Sequence, residues 1–259
     1  PFFSILVISS FSLVINAQEI SAVIEDIIVT AEKRTESLQD LSQAVTVLTS
    51  DDLDKKQIST FVDISAIAPG VNVAKNEGFK TVITIRGVGY ETNQNAIATP
   101  SVSYHLDGIY IASPYSLQTE FMDLERIEVL RGPQGTLFGQ NSTGGAINVI
   151  TSAPSLEESS SYGDITIGDY SLIKTRASFN RPLSETLAVR ASFITHKRDG
   201  FTDNLSTGQD LDDADSISAR VRFLYQPSET FRANFTAQIF DENRNGSAQK
   251  GLLDTTTDP

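Results

Sequence analysis

At 259 residues, 39% of them apolar, the chain is long enough to bury a core and is not a disordered tail. A net charge of −13 excludes nucleic acid, whose phosphate backbone calls for clustered Lys and Arg. The absence of cysteine excludes disulfides, Cys-ligated zinc and thiol catalysis together, while leaving the compartment open.

The first stretch, PFFSILVISSFSLVINAQ, is an uncharged apolar run closed by small or polar residues. It fits the apolar region and cleavage end of a secretory signal peptide over residues 1–17, with Gln18 as the first mature residue. The other reading is a membrane anchor, for which the run is short against a span of about 20 residues. No initiating Met or basic leader precedes Pro1, so the sequence is expected to start inside its leader. Next comes EDIIVTAEKRTESLQD, in which a short extended run at 27–29 lies among carboxylates with little nearby to pair with.

A strand is predicted over 44–48, followed by one helix capped at Ser50 or Asp51. Its apolar positions are Leu53, Ile58, Phe61, Val62, Ile64 and Ile67, and Pro69-Gly70 ends it. Strands follow at 71–74 and in TVITIRG, and SVSYHLDGIYI gives two alternating segments about an Asp107-Gly108 turn. LERIEVLRG reads as a helical turn entering a strand, and GGAINVIT as a further strand. To about residue 154 the pattern is that of a compact α+β unit.

From residue 159 the period becomes two. In SLIKTRASFNR, TLAVRASFITHKR, SISARVRFLYQ and FRANFTAQIF, one face is apolar and the other polar and often cationic. The connections PLSE and PSE are tight, whereas the one between them at 199–215 is long and acidic. Short turns on one side and longer loops on the other are the asymmetry of a transmembrane β-barrel; a soluble β-sandwich also alternates and stays open as a reading. The barrel draws support from arginines on the polar face and from Phe179, Tyr225, Phe231 and Phe240 near strand ends, where interfacial aromatic girdles sit. Strands at 162–168, 172–181, 187–197, 216–225 and 231–240 then put both tight turns on the periplasmic side, with a brief outer connection at 169–171. Five strands are fewer than the smallest bacterial barrels of about eight need. The chain is therefore expected to stop short of a complete barrel.

The segment RGPQGTLFGQNSTGGAINVIT has glycines at 132, 135, 139, 144 and 145. It lacks the lysine of a phosphate-cradling loop and the spacing of a dinucleotide fingerprint. Glycine here serves backbone at positive φ and the close approach of one chain to another.

EDIIVTAEKR, TIRGVG, YHLDGIYI and LERIEVLRGPQGTLFGQNSTGGAINVITSAP together resemble the plug domain of TonB-dependent outer-membrane receptors, in the family's order over nearly all of residues 24–155. The strands after 159 resemble the start of the family's barrel, which has about 22 strands and a plugged lumen. The implied architecture is an α+β plug followed by the first antiparallel strands of that barrel: linker at 18–35, plug at 36–155, truncated barrel at 156–259. The resemblance implies a passive importer in the outer membrane of a Gram-negative bacterium, without enzyme activity or cofactor. A scarce solute, commonly a ferric siderophore and sometimes cobalamin or an oligosaccharide, binds outside. The TonB complex of the inner membrane then pulls on the plug through a periplasmic box, using the proton gradient. Asp26, Ile27, Ile28, Val29, Thr30 and Ala31 resemble that box, and an extended run near a terminus is suited to capture by strand addition. Because the box follows the cleavage site closely, no extra signalling domain is expected before it.

Arg86 of the I-R-G element is, by the resemblance, a candidate solute ligand at the plug apex; otherwise it is a solvated strand-end charge. Tyr90, Asn93, Gln94 and Asn95 supply hydrogen-bonding and stacking groups for a polar chelate, or form a solvated loop. Tyr110 and Tyr115 belong to a second candidate apical loop. Glu128 and Arg131 resemble the family's plug residues that pair with the barrel wall. His105 and His196 stand without a second ligand at metal spacing and are read as non-metal. The rival readings are a soluble secreted or periplasmic β-rich binding or adhesion module and, last, an extracellular hydrolase, for which no nucleophile–base pair is recognisable.

Overall fold

A computed structural model describes residues 28–29, 36–37, 44–76, 80–89, 100–112, 120–205 and 207–247. The predicted signal peptide lies outside these residues. Ile28–Val29 (β1) pairs antiparallel with Glu36–Ser37 (β2), Ile28 opposite Ser37 and Val29 opposite Glu36. The expectation of an unpaired run is corrected at these two positions.

Val45–Thr49 (β3) is rich in β-branched residues and leads directly into a helix, Ser50–Lys55 (α1). Thr49 caps α1 by a reciprocal exchange: its Oγ1 accepts from the Asp52 N–H at 3.3 Å, and its own N–H donates to Asp52 Oδ2 at 3.2 Å. The single long helix expected here is two short ones, the second being Phe61–Ile64 (α2). The break has a local cause. Gln57 takes φ of 54°, the Ile58 N–H returns to the Leu53 carbonyl at 2.8 Å and the Gln57 N–H to that of Asp54 at 3.1 Å, the paired closure that ends a helix. Asp63 Oδ2 then accepts from the N–H groups of Ser59 and Thr60 at 2.9 and 2.8 Å, which starts α2.

Val71–Asn76 (β4), Lys80–Ile85 (β5) and Val88–Gly89 (β6) form a small antiparallel sheet. The main sheet adds Val102–Leu106 (β7), Ile109–Tyr110 (β8), Leu124–Arg131 (β9) and Gly145–Thr151 (β10), in the order β3-β9-β10-β7-β8. β10 runs parallel to β7 and antiparallel to β9. The Asp107-Gly108 turn falls where its φ values of 49° and 80° suit a two-residue hairpin. LERIEVLR is strand throughout, without the helical turn expected at its start: it pairs with β10 from Leu124 to Arg131 and is buried on both faces from Ile127 to Leu130. A short helix that the pattern did not announce, Gly135–Phe138 (α3), covers one face by packing Phe138 with Leu130 and Ala146. On the other face Ile127, Val129, Ile147 and Val149 meet Phe61, Ile64, Ile85 and Tyr104. Gly145 sits where the two sheets touch: at φ of 152°, a Cβ would lie 2.4 Å from the Leu130 carbonyl oxygen and 2.7 Å from Ile85 Cδ1.

The second body is an antiparallel meander: Ser160–Gly168 (β11), Leu172–Ser184 (β12), Leu187–Arg198 (β13), Ala214–Ser228 (β16) and Phe231–Glu242 (β17), in the order β11-β12-β13-β16-β17. Thr202–Asp203 (β14) and Asp210–Leu211 (β15) pair within the long acidic connection. Pro182 and Pro227, expected in turns, lie inside strands where the register shifts, a position that tolerates a missing N–H.

The alternation resolves the choice between barrel and sandwich. The polar face is the covered one, with Ser178, Asn180, Ser192, Ser218 and Arg220 buried against the plug. The apolar face is bare: Phe179 is 59% exposed, Phe235 63% and Ile239 68%. A sandwich would bury the opposite face. Phe179, Tyr225 and Phe231 lie on the bare side, whereas Phe240 stands opposite Ser218 in the ladder and so belongs to the inner face.

Candidate functional site

The seam between plug and wall concentrates the chain's buried charge. Asp123, just before β9, is held at φ of 51°, a left-handed conformation that costs a non-glycine residue free energy. Its backbone carbonyl accepts from the Ser152 N–H at 3.0 Å. Its carboxylate accepts two bonds from Arg190 of β13, from Nε at 2.6 Å and Nη2 at 2.5 Å, and another from the Ser192 hydroxyl. Burial acts to raise the Asp123 carboxyl, and the bonds from Arg190 and Ser192 outweigh it, holding the group below the usual carboxylate range.

Glu120 repeats the arrangement toward the long connection, meeting Lys174 of β12 and His196 of β13. Burial again opposes ionisation, and the hydrogen bond from His196 with the charge of Lys174 lowers the carboxyl nonetheless. Asp54 of α1 accepts from Arg176 Nη1 at 3.0 Å, while the same guanidinium grips Asp164 of β11 through Nε at 2.8 and 2.9 Å. Arg220 donates to the Met122 carbonyl at 3.1 Å. Arg222 donates to the carbonyls of Thr151 and Ser152 at 3.0 and 3.2 Å and stands 3.6 Å from Asp107. Beside these contacts lies a cavity of about 250 Å³, lined by Leu53, Asp54 and Asp123 on the plug and by Tyr162, Arg176 and Arg190 on the wall. The plug thus presents carboxylates and carbonyls, and the wall presents cations. Charge-assisted hydrogen bonds of this kind fix the plug's position against the wall.

Of the residues singled out from sequence, Arg86 lies exposed on the β5–β6 turn at φ of 53°, with its N–H donating to the Gly70 carbonyl at 2.6 Å. This turn is at the Gly144 end of the main sheet, since a Cβ on Gly144 would meet Val88 at 2.9 Å. Tyr110 is half-buried beside the Asp107-Gly108 turn, and its hydroxyl accepts from Asn141 at 2.7 Å. Because Val102 pairs with Gly145 and Leu106 with Val149, that turn lies at the opposite end of β7 and β10 from Arg86. The structure therefore does not bring Arg86 and Tyr110 together. Tyr90, Asn93, Gln94, Asn95 and Tyr115 lie outside the described residues, as do Asp26, Ile27, Thr30 and Ala31 of the box.

Glu128 is fully buried in β9 and accepts from Arg126 at 2.9 Å and Asn148 at 3.0 Å. Arg131 donates to Thr46 Oγ1 at 2.9 Å. These bonds tie the plug sheet to itself. Among the described residues, the carboxylate contacts to the wall come from Glu120, Asp123, Asp54 and Asp107, which sequence reasoning did not select as such. The available signal was the inward cations of β12 and β13, which need carboxylate partners once buried.

An α+β body seated by ion pairs on the polar face of an antiparallel wall whose apolar face is bare defines the class: a plugged transmembrane β-barrel. Residues 37–146 match the model of the TonB-dependent receptor plug domain. The pesticin receptor of Yersinia pestis is 31% identical over 204 residues, 75% of this chain and 29% of that protein. The vitamin B12 transporter BtuB of Vibrio vulnificus is 25% identical over 270 residues, 98% of this chain and 40% of that protein. The crystal structure of FyuA, the ferric yersiniabactin uptake receptor of Yersinia pestis, has the same fold at a TM-score of 0.66 and 24% identity, covering 76% of this chain and 31% of that one.

The chain belongs to the TonB-dependent receptor family, with the family's plug followed by strands of its barrel, and membership places it in the Gram-negative outer membrane. It spans well under half the length of the relatives it matches, which are receptors and transporters rather than enzymes.

Proposed function

We propose that the chain is the plug and leading wall of an importer that admits a scarce solute, a ferric siderophore, when TonB draws the plug aside. One observation carries the reading. The plug is seated by separable charge pairs, Asp123 with Arg190 and Glu120 with Lys174, the latter joined by a hydrogen bond from His196, on the inner face of strands whose apolar face is turned out. Such a seat holds at rest and yields to force without exposing a hydrophobic core. The segment Asp26 to Ala31 is the point of traction. Ile28 and Val29 already lie in extended, ladder-forming backbone, the conformation that strand addition uses. FyuA, a ferric yersiniabactin uptake receptor, supports a siderophore as the solute, while BtuB keeps cobalamin as the other choice.

Growth of a deletion strain under iron limitation, tested with single ferric siderophores and separately for cobalamin dependence, decides the solute. Loss confined to one siderophore is expected; loss confined to cobalamin replaces the siderophore. Ile28→Pro, which removes the N–H needed for strand addition, abolishes uptake and leaves surface binding intact. Normal uptake by that variant would refute the placement of the box.

A further inference from the structure

The geometry points to an anionic solute, passed along a stripe of wall cations that the plug's own carboxylates neutralise at rest; this rests on the importer reading above. In the ladder registers the inner face carries the cations Lys174 and Arg176 on β12, Arg190 on β13, and Arg220 and Arg222 on β16, with the imidazole of His196 beside Lys174. Lys174 stands opposite His196, and Arg190 opposite Arg222, while Arg220 lies between these levels opposite Ser192. From His196 down to Arg190 is about 20 Å along the strand, at about 3.4 Å per residue. The stripe therefore runs along much of the wall's height. None of these three strands places a carboxylate at an inward position of its ladder, although the chain as a whole carries −13; the adjoining β11 places one, Asp164, opposite Arg176. The excess acid lies elsewhere, including the hydrated connection at 199–213, where its field is screened within about 10 Å.

At rest the stripe is covered from the plug side. Glu120 meets Lys174 and His196, Asp54 meets Arg176, Asp123 meets Arg190, and carbonyls of Met122, Thr151 and Ser152 meet Arg220 and Arg222. When the plug moves, these cations face the opened lumen without those partners, while Arg176 keeps Asp164 of β11. A solute bearing carboxylate, phenolate or similar oxyanions takes over the vacated positions in turn, so partner exchange replaces loss of the pairs. A cationic solute meets repulsion along the same path, and a neutral one gains nothing from it.

The test is uptake by cells expressing the intact receptor of radioactive iron, supplied as a trianionic ferric tricatecholate, a neutral ferric trihydroxamate or a cationic amine-bearing trihydroxamate, and in parallel of radiolabelled cobalamin, a neutral solute without iron. Ile28-dependent uptake of the anionic chelate above the other three is expected. The decisive variant exchanges one pair, Glu120→Lys with Lys174→Glu, which keeps the seat's ion pair and reverses the wall's charge. Anionic uptake then falls about tenfold while surface binding stays within about twofold. A neutral pair, Glu120→Gln with Lys174→Gln, falls to an intermediate level and covers the case in which the exchanged pair fails to fold. Restoration of wild-type uptake by the exchanged pair would reduce the cations to seating the plug and overturn the inference. Ile28-dependent uptake of only a neutral or cationic solute overturns it while leaving the importer reading in place. Ile28-independent uptake of every solute overturns the importer reading itself.

Discussion

Replacing Asp123 by Asn isolates the charge of the seat. Asn keeps one acceptor oxygen and is among the residues that tolerate the left-handed φ of 51°, so neither backbone strain nor volume changes much. What is lost is the ion pair with Arg190, whose side chain is 16% exposed against 10% for Asp123. Removing one partner of a buried pair costs about 3–5 kcal/mol, because the other charge stays desolvated. The retained acceptor puts the Asn variant near the lower end, about 3 kcal/mol, or about a hundredfold in the equilibrium for plug opening at 1.4 kcal/mol per decade. These 259 residues have no cysteine, so Ser178→Cys gives them one thiol, at a buried position of β12 that lines the cavity between plug and wall. Its alkylation rate in the membrane-embedded receptor reports opening of the plug. A rise of about a hundredfold on adding Asp123→Asn is predicted. A change below about threefold would refute the argument that this pair seats the plug.

Acid should loosen the same seat. Asp123 and Glu120 have carboxyl pKa values below their ordinary 3.8 and 4.5, so their stabilisation is complete above those values and lost as pH falls through the depressed ones. The urea midpoint for plug unfolding should hold from pH 6 to about 5 and drop toward pH 3; a midpoint that rises on acidification contradicts the assignment. Gly145→Ala, with its Cβ 2.4 Å from the Leu130 carbonyl oxygen, should cost about 3 kcal/mol or more and leave the plug protease-sensitive. Gly135→Ala, with nothing within 4 Å of the added carbon, should stay within about 0.5 kcal/mol. On the wall, Phe223→Arg on the bare face should cost about 2–4 kcal/mol and lower the yield of folded barrel, whereas Thr236→Arg on the inner face of β17 should leave yield unchanged.

The strands were legible because each face of the wall has a constant environment. A period of two across LIKTRASFNR marks one side for lipid and the other for the plug, and that pattern is local in sequence. The helical region was less legible. The apolar spacing of Leu53, Ile58 and Phe61 suits one helix, but Thr60 with Asp63 was a readable restart signal, and the closure at Gln57 uses a non-glycine residue that sequence does not mark. The seat was illegible for a different reason. Asp123 and Arg190 are 67 residues apart, and their meeting depends on how the plug lies within the wall. Glu128, picked out by its motif, is fully buried and accepts from Arg126 and Asn148 of the plug sheet. Motif position located the element, while the direction of the side chain came from the sheet's packing.

The most direct test of a lipid-facing apolar side and a plug-facing polar side is a nitroxide scan of β16, one cysteine at a time from Ser218 to Tyr225 in the receptor embedded in membrane. Collision rates with oxygen, which concentrates in lipid, should alternate, high at Val221, Phe223 and Tyr225 and low at Arg220, Arg222 and Leu224. Rates that peak at the even positions, or that show no period of two, would contradict the orientation on which the plugged-barrel reading stands.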